Sequence, residues 1–400
     1  MIEIVLGLGF GDEGKGSLVD WLARRAAERV GADAVTVVRW NGGPQAAHHV
    51  VTEAGRVFCF AQLGAGSLAG ARTHLGNGMV VDPIALFREA EAFDGGRVLA
   101  RVSVDPRALV VTPWHATLNQ MREVARGAGR HGSTGRGVAE ALLAAERGLP
   151  AVRIGDADVA CGLLRVREWA CDESRTIETA AGGDTTGSET ASELAADLEH
   201  PALNGLTLAA IERVRRELTM TTEVRAAHVI LEGAQGALLD RDHGEAPWIT
   251  PSRITRAAAE AAIGELGLAG IAVECWGVLR AYATRHGAGP FPTEDATLTA
   301  ALPDWHNGTG PWQGPMRVGW FDAVLANRAL AFAGPVDRLA LTCVDRLVDL
   351  PTLRFRSASG EVNAPSIDAY VTQLEAALGR PIDLVSRGPT AAGKRLRVVI

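Results

Sequence analysis

One glycine-rich stretch near the N-terminus constrains the fold more than any other part of the sequence. Residues 6–17, LGLGFGDEGKGS, follow an apolar strand predicted over residues 2–6 and open an amphipathic helix with apolar residues from 18 to 27. A strand, a glycine loop and a helix N-terminus form a cradle of backbone N–H groups that binds phosphate. Gly9 to Lys15 fits most of the P-loop pattern, although Gly16 stands where a Ser or Thr usually meets magnesium. The pattern favours an α/β fold with a P-loop-like nucleotide-binding loop, and the alternative is a plain glycine turn.

Two acidic residues, Asp12 and Glu13, lie inside this loop. A carboxylate among phosphate-facing amides repels its ligand unless it binds a cation or takes up a proton during the reaction. We therefore interpret Asp12 as a catalytic residue. The alternative is a pair of solvated acids on a turn.

Composition limits the classes of protein to which the chain can belong. Its 400 residues are 47% hydrophobic and 22% charged, without the roughly 20 consecutive apolar residues of a membrane span. The net charge of -7 gives no basic footprint for nucleic acid. The five cysteines are scattered and the N-terminus enters a strand, which favours a reducing cytoplasm. We expect one elaborated α/β domain over residues 1–400 with long active-site loops.

The rest of the chain reads as a mainly parallel sheet with helices on both faces. Further strands are predicted over residues 34–40, 75–81, 229–231, 271–279 and 339–344. Helices are predicted over residues 83–93, 114–126, 206–220 and 366–378. Residues 171–190 lack periodicity and are predicted to form an excursion or mobile loop. Residues 282–294 and 307–317 are predicted as irregular binding loops, the second leading to a helix near Trp320.

Several loops that follow predicted strands carry candidate ligand groups, as expected at the carboxyl ends of a parallel sheet. His48 lies in the glycine turn 41–49. It is either a catalytic residue or a turn residue whose hydrogen bonds are made within the protein. The glycine and hydroxyl loop 132–137 precedes a helix and suits a second phosphate, unless it is a simple turn. Arg317 could clamp a carboxylate. The carboxylate of Asp345 could accept hydrogen bonds from the N–H groups of a guanine edge. Alternatively, it merely caps the next turn.

Together these motifs resemble the adenylosuccinate synthetase family, and the similarity runs nearly end to end. It is carried by GDEGKG (11–16), the turn 41–49, LGNGMVVDP (75–83), GSTGRG (132–137), LEGAQGALLDRDHG (231–244), TRHGAGPFPTE (284–294), RVGWFD (317–322) and LTCVD (341–345). That family activates the 6-oxygen of IMP with the γ-phosphate of GTP, and the amine of aspartate then displaces phosphate to give adenylosuccinate. The resemblance implies a GTP- and Mg²⁺-dependent C–N ligase in purine biosynthesis.

The resemblance also assigns catalytic roles. It implies that Asp12 is the base and a magnesium ligand, and that His48 is the acid that stabilises the migrating phosphoryl group. Lys15 and Gln235 complete the implied catalytic set, and the Ala47 carbonyl is the second implied metal ligand. The chemistry agrees, because removing the N1 proton of the purine builds charge on the oxygen that attacks the phosphoryl group.

The implied binding residues fall into three groups. Those for GTP are Gly11, Glu13, Gly14, Lys15, Gly16, His48, Asp345, Ser386 and Gly388. Those for the substrate nucleotide are Gln45, Thr134, Arg147, Gln235, Thr250 and His286. Those for the amino acid are Gln313 and Arg317. Arg147 is implied to reach the nucleotide of a partner subunit, so the resemblance implies a homodimer acting on small molecules.

The sequence departs from the family pattern around the substrates. An arginine-rich run is replaced by Gln313, Pro315 and Met316, and the remaining departures are Pro44, Gln45, Pro251, Arg253, His286 and Cys343. These changes leave open a divergent paralogue with a different amino donor or acceptor, and Cys343 leaves open ATP in place of GTP. A nucleotide-binding module without turnover is disfavoured because Asp12, Lys15 and His48 all persist. A deoxyguanylate-using branch of the family typically lacks the acid at the position of Asp12, which argues against that reading.

Overall fold

The computed structural model describes residues 1–181, 185–304 and 307–397. Its strands are β1 (Ile2–Gly7), β2 (Val35–Arg39), β3 (His48–Val51), β4 (Val57–Phe60), β5 (Arg72–Leu75), β6 (Val102–Val104), β7 (Thr219–Met220), β8 (His228–Gly236), β9 (Val273–Arg280), β10 (Ala283–His286), β11 (Met316–Gly319), β12 (Phe321–Asp322), β13 (Arg338–Thr342), β14 (Leu353–Ser357), β15 (Gly360–Ala364), β16 (Leu384–Ser386) and β17 (Lys394–Leu396). Its helices are α1 (Lys15–Val30), α2 (Pro83–Asp94), α3 (Pro113–Arg126), α4 (Val138–Glu146), α5 (Val159–Ala181), α6 (Thr185–Leu198), α7 (Ala202–Glu217), α8 (Arg256–Glu265), α9 (Ala296–Ala301), α10 (Ala323–Ala333) and α11 (Ile367–Leu378).

Ten strands of the described residues form the central sheet, in the order β17-β16-β13-β9-β1-β8-β2-β5-β6-β7. Neighbouring strands run parallel except for the antiparallel edge pair of β16 and β17. The predicted mainly parallel sheet is confirmed. However, β1 and β2 are separated by β8, whose Glu232 aligns with Val5 on one side and Arg39 on the other. A strand from the second half of the sequence therefore lies in the middle of the sheet, between the first two strands.

Helices cover both faces of the sheet, as predicted. Because successive side chains of a strand point to opposite faces, β1 contributes to two separate apolar clusters. Val5 belongs to one cluster with Leu22 of α1. Ile4 belongs to the other with Ile263 of α8 and Leu374 of α11. Both faces of the sheet are therefore buried under helices. Ligands can reach the sheet at the carboxyl ends of its strands.

The predicted helices at 83–93, 114–126, 206–220 and 366–378 are confirmed within four residues as α2, α3, α7 and α11. The loop predicted over residues 171–190 is wrong, because α5 runs to Ala181 and α6 begins at Thr185, with residues 182–184 outside the described part. Val166, Ala170 and Ile177 are buried at helical spacing, which is the signal that the polar composition hid. No helix in the described residues has the length and apolar content to cross a bilayer.

Two further predictions of local structure, one of a strand and one of a pair of irregular loops, are wrong. The strand predicted over 75–81 is instead β5, which ends at Leu75, and a turn follows. The loops 282–294 and 307–317 are not wholly irregular, because β10 pairs antiparallel with β11 and aligns Arg285 with Arg317. The helix predicted near Trp320 is confirmed as α10, which begins at Ala323 after the short strand β12. The two loops form strands because they pair with each other, and the glycine- and proline-rich composition of each gave no sign of this pairing.

Candidate active site

The glycine loop after β1 is held together by the side chain of Glu13. Its carboxylate accepts N–H bonds from Gly9 at 2.9 Å and Gly11 at 2.7 Å. It also binds Lys15 Nζ at 2.7 Å, and both charged side chains are buried. Because this carboxylate is engaged within the loop, Glu13 fixes the shape of the cradle and the position of Lys15.

The first turn of α1 is open for an anion. Its N-cap is Gly14, in the left-handed conformation with φ of 79°, and no described side chain caps the helix. The first N–H groups of a helix have no intrahelical partner, and here they point at the loop. A Cβ added at Gly16 would lie 2.7 Å from His48 Cβ. This close approach explains why glycine replaces the usual Ser or Thr of the P-loop pattern.

Asp12 presents an available carboxylate at this cradle. Its Oδ1 lies 3.4 Å from Asn307 Nδ2, a long contact, and Arg280 Nη1 donates to its backbone carbonyl at 3.0 Å. Burial raises the pKa of Asp12, with Arg280 and Lys15 opposing and Glu13 adding to the rise. A carboxylate with a raised pKa and spare lone pairs can accept a proton from a ligand.

His48 lies on β3 and is only 6% exposed, so the prediction that it sits in a loop is wrong. Its Nδ1 is 2.5 Å from Glu232 Oε1, and Glu232 Oε2 accepts the Ala65 N–H at 3.0 Å. Burial lowers the pKa of His48 to about 4, although Glu232 opposes this shift. The imidazole is therefore neutral in this form, and Nδ1–H donates to an ionised Glu232.

Glu232 is a candidate functional residue that the sequence reasoning missed, since its carboxylate contacts His48. Burial alone would raise its pKa, but His48, Arg39 and the Ala65 N–H together hold it below the ordinary value. Arg39 is fully buried beside it and donates to Leu63 O and Ala46 O, each at 3.3 Å. An acidic residue in an otherwise apolar buried strand was the signal available in the sequence.

The predicted metal ligand Ala47 lies between two anchored residues. Arg39 holds the carbonyl of Ala46 on one side, and the Glu232 contact holds His48 on the other. Ala47 itself is exposed. Its position on the turn is thus fixed by contacts of its neighbours.

A cavity of about 460 Å³ adjoins the catalytic loops, between α3, α4 and the segments after β8 and β10. The predicted ligand residues among its lining are Gln45, Thr134, Gln235, Thr250, His286 and Gln313. Buried Oε1 atoms of Gln45 and Gln235 have no hydrogen-bond partner among the described residues. Leaving such an acceptor unsatisfied costs about 1–3 kcal/mol. The two amides are therefore prepared for a polar ligand.

Gln235 also has a backbone φ of 56°, which is unusual for a residue other than glycine. Such strain persists where the surrounding structure imposes it, commonly at a functional site. Pro251 lines the same cavity, whereas Arg253 pairs with Asp242 at 2.7 Å. These two departures from the family pattern therefore differ in effect. Pro251 shapes the wall of the cavity, whereas the charge of Arg253 is paired with Asp242.

Arg317 is not among the residues that line this cavity. Its guanidinium binds Glu294 Oε2 at 2.7 Å and donates to Gly287 O at 3.1 Å and Gly289 O at 2.8 Å. Arg285 donates to carbonyls of the same loop, at Ala288 and Pro290. The cation predicted to clamp a carboxylate is thus already paired in this form of the protein.

The segments that follow β13 and β16 lie on the side of β1 away from β8. Thr342, the last residue of β13, donates its hydroxyl to Glu13 O at 2.7 Å and leads into Cys343, which has φ of 57°, and Asp345. Ser386 ends β16 and donates to Gly388 O at 2.9 Å. The structure thus brings the predicted GTP residues of the two segments to the same edge of the sheet as the cradle.

Arg147 is exposed and follows the end of α4, outside the lining of the cavity. Within one chain it does not meet the other candidate residues.

Comparison with known proteins decides the family. The model of the adenylosuccinate synthetase family matches residues 4–358. Adenylosuccinate synthetases of Azotobacter vinelandii and Ectopseudomonas mendocina are 31% and 32% identical to the chain, each match covering 96% of both sequences. The chain belongs to the adenylosuccinate synthetase family. It is therefore a GTP-dependent ligase, as the resemblance implied.

Solved structures agree on the fold of this adenylosuccinate synthetase family member. A fully ligated adenylosuccinate synthetase of Plasmodium falciparum superimposes with a TM-score of 0.78 at 20% identity, over 99% of each chain. A succinoaminodeoxyadenylate synthetase of cyanophage S-2L, bound to dGMP and dATP, gives a TM-score of 0.63 at 23% identity, over 99% of this chain and 95% of that one. The predicted α/β architecture is confirmed.

Proposed function

We propose that this ligase phosphorylates the 6-oxygen of IMP with GTP, and that the amine of aspartate then displaces the phosphate from the activated carbon, giving adenylosuccinate. The observation that carries the proposal is the close packing of His48 against Gly16, in the first turn of the helix that follows the loop bearing Asp12. A phosphate bound at the open helix start would lie between a proton acceptor and an imidazole. Enzymes that transfer phosphoryl groups position the attacking oxygen with a base or orienting residue and stabilise the charge on the transferring group, and these two side chains suit those tasks.

In the proposed mechanism Asp12 removes the N1 proton of the purine. The raised pKa of Asp12 suits this step, because a base works best when its pKa approaches the working pH. Glu232 holds Nδ1 of His48, which fixes the tautomer of the ring. Phosphate charge near the imidazole would raise its pKa from the low value set by burial, so GTP binding itself would prepare His48 as the acid. Lys15 would offset charge on the phosphates.

Magnesium fits the oxygen donors that Asp12 and the Ala47 carbonyl offer. The described residues contain no group of three or more His, Cys, Asp or Glu side chains able to hold a metal. Mg²⁺ commonly binds through one or two protein oxygens together with substrate phosphates. When bound, the ion would neutralise charge on the transferring phosphoryl group.

The other assignments extend the same proposal. Gly11, Glu13, Gly14, Lys15, Gly16, His48, Asp345, Ser386 and Gly388 would bind GTP, and Gln45, Thr134, Gln235, Thr250 and His286 would bind the substrate nucleotide. Gln313 and Arg317 would meet the amino acid. The exposed position of Arg147 suits a contact across a homodimer, in which it would reach the partner's nucleotide. We further propose that residues 1–400 act as one domain in the cytoplasm.

A second candidate keeps the phosphoryl chemistry but uses an amino donor other than aspartate. The observation that favours it is the pairing of Arg317 with Glu294, since aspartate presents two carboxylates that need cationic or amide donors. Gln313 and Trp312 would then shape the choice of donor through an amide and a flat apolar wall.

One experiment separates the two candidates. Purified protein is incubated with GTP, Mg²⁺ and panels of oxo-purine nucleotides and amino acids, and phosphate release and the mass of the adduct are measured. Saturation by aspartate at low micromolar concentration, with no better donor, supports adenylosuccinate formation. A better donor than aspartate supports the second candidate. Absence of GTP-dependent phosphate release with every pair would contradict both.

A further inference from the structure

A buried lysine lies beyond the catalytic loops, in the hairpin formed by β16 and β17. Lys394 is 4% exposed and pairs with Ser386 across the two strands. Its ammonium turns back beneath the hairpin loop and contacts the carbonyl oxygens of Thr390 at 2.7 Å, Pro389 at 3.2 Å and Gly388 at 3.4 Å. A single ammonium group thus contacts three successive backbone carbonyls of one loop.

The same ammonium reaches Ser17, in the first turn of α1. Ser17 in turn donates its hydroxyl to Pro389 O at 3.0 Å. An ammonium has three N–H donors, and here four oxygens surround it, so its hydrogen-bonding capacity is fully used. Hydrogen bonds from a charged donor are stronger than neutral ones. Lys394 and Ser17 therefore fasten the hairpin loop to the helix that begins in the phosphate cradle.

This fastening matters because of what the hairpin carries. Ser386 and Gly388 are among the residues proposed to contact GTP, and a further one, Asp345, lies on the neighbouring segment after β13. That segment is itself tied to the cradle, through the bond from Thr342 Oγ1 to Glu13 O. The segment after β13 is therefore attached to the glycine loop by Thr342, and the hairpin is attached to α1 by Lys394 and Ser17.

We propose that Lys394 is a positioning residue for the guanine nucleotide, whose ammonium holds the 388–390 backbone on α1 so that the hairpin can meet the base. The inference rests on the proposed GTP site. It adds to that site a residue far along the chain that does not itself touch the reacting atoms.

The charge of Lys394 is sensitive to its surroundings. Burial lowers its pKa to about 8, while Asp20 on α1, Glu53 between β3 and β4, and Cys343 and Asp345 after β13 oppose the shift. As pH rises through about 8 the ammonium loses a proton, and the neutral amine must direct a lone pair at one of the surrounding oxygens. The hold on the hairpin loop then weakens, so affinity for GTP should fall as pH rises.

The test compares Lys394→Met with Lys394→Arg, and uses Arg395→Met as the matched control. Arg395 is the next residue of β17 and is exposed. GTP affinity is measured directly by equilibrium dialysis with Mg²⁺, and KM values are measured for GTP and for the acceptor nucleotide. Lys394→Met should weaken GTP binding at least tenfold at pH 7, while kcat at saturating GTP and the acceptor KM change less than threefold.

The arginine variant supplies a rescue and a pH readout. Lys394→Arg should regain most of the GTP affinity and lose the fall in affinity that the wild type shows between pH 7.5 and 9. Both proteins share any titration of the nucleotide itself, so the difference isolates Lys394. Arg395→Met should bind GTP as the wild type does.

Ser17→Ala keeps the inference testable if Lys394→Met does not fold, because it removes one acceptor while leaving the lysine in place. It should weaken GTP binding at least threefold. Unchanged GTP affinity in the folded variants, or an equal rise in the KM of both nucleotides, would overturn the positioning role alone. A wild-type protein that binds no GTP would instead overturn the proposed function, and this inference with it.

Discussion

Replacing Glu232 by glutamine tests how the buried carboxylate controls the imidazole of His48. In the native protein Oε1 meets His48 Nδ1 at 2.5 Å and Oε2 accepts the Ala65 N–H at 3.0 Å. Glutamine offers one acceptor oxygen and one NH₂ group, so it cannot accept from both partners. If its oxygen stays with Ala65, its NH₂ faces Nδ1, and the ring must carry its proton on Nε2 instead.

The size of the effect follows from the lost charge-assisted bond. Hydrogen bonds to charged groups contribute about 1.5–3 kcal/mol. Since each 1.36 kcal/mol in the barrier changes a rate tenfold, Glu232→Gln should lower kcat by about 10- to 150-fold. The KM for GTP should change less than about threefold, because Glu232 contacts no proposed GTP group other than His48.

The assay is phosphate release at saturating substrates, with the melting temperature measured in parallel. Glu89→Gln is the matched control, because its carboxylate also accepts backbone N–H bonds, from residues 61–63, without touching His48. The control should keep kcat within about threefold. A Glu232→Gln enzyme with kcat within threefold of the wild type would refute the claim that the carboxylate positions the imidazole.

Three further predictions concern the same site. Asp12→Asn should abolish turnover and leave GTP affinity within about tenfold, because an amide keeps the shape of the loop but cannot take the proton; kcat within tenfold of wild type would contradict the base assignment. His48→Ala should stop phosphoryl transfer and also lower the free energy of unfolding by about 1.5–3 kcal/mol, since it removes the hydrogen bond from Nδ1–H to the charged, buried Glu232; an unchanged denaturant midpoint would contradict this. Glu294→Gln should lower the KM for aspartate, because it frees Arg317 from its ion pair, whereas Arg317→Ala should raise this KM at least tenfold. Equal KM values in the two variants would show that the ion pair does not control binding of the amino donor.

The sequence alone predicted a phosphate cradle and most of the candidate residues around it. Glycines, a lysine and a helix start lie within a few positions of one another, so local geometry was enough to predict a phosphate site. The order of apolar strands and loops was also enough to predict a parallel sheet. The carboxyl ends of such strands lie at one edge of the sheet. Asp12 and Asp345 follow β1 and β13, and Gln235 lies near the end of β8, whereas His48 lies on β3, outside the central sheet.

Only the tertiary structure decided which partners these residues have. Glu232 is 184 positions from His48, and β8 places it between β1 and β2, a neighbour relation that no local pattern specifies. In the same way Arg317 pairs with Glu294, and Lys394 reaches Ser17 across 377 positions. Strand order and side-chain direction depend on packing against distant segments, and the charge of a buried group depends on how that packing removes water. The protonation states of the site were therefore set by the fold.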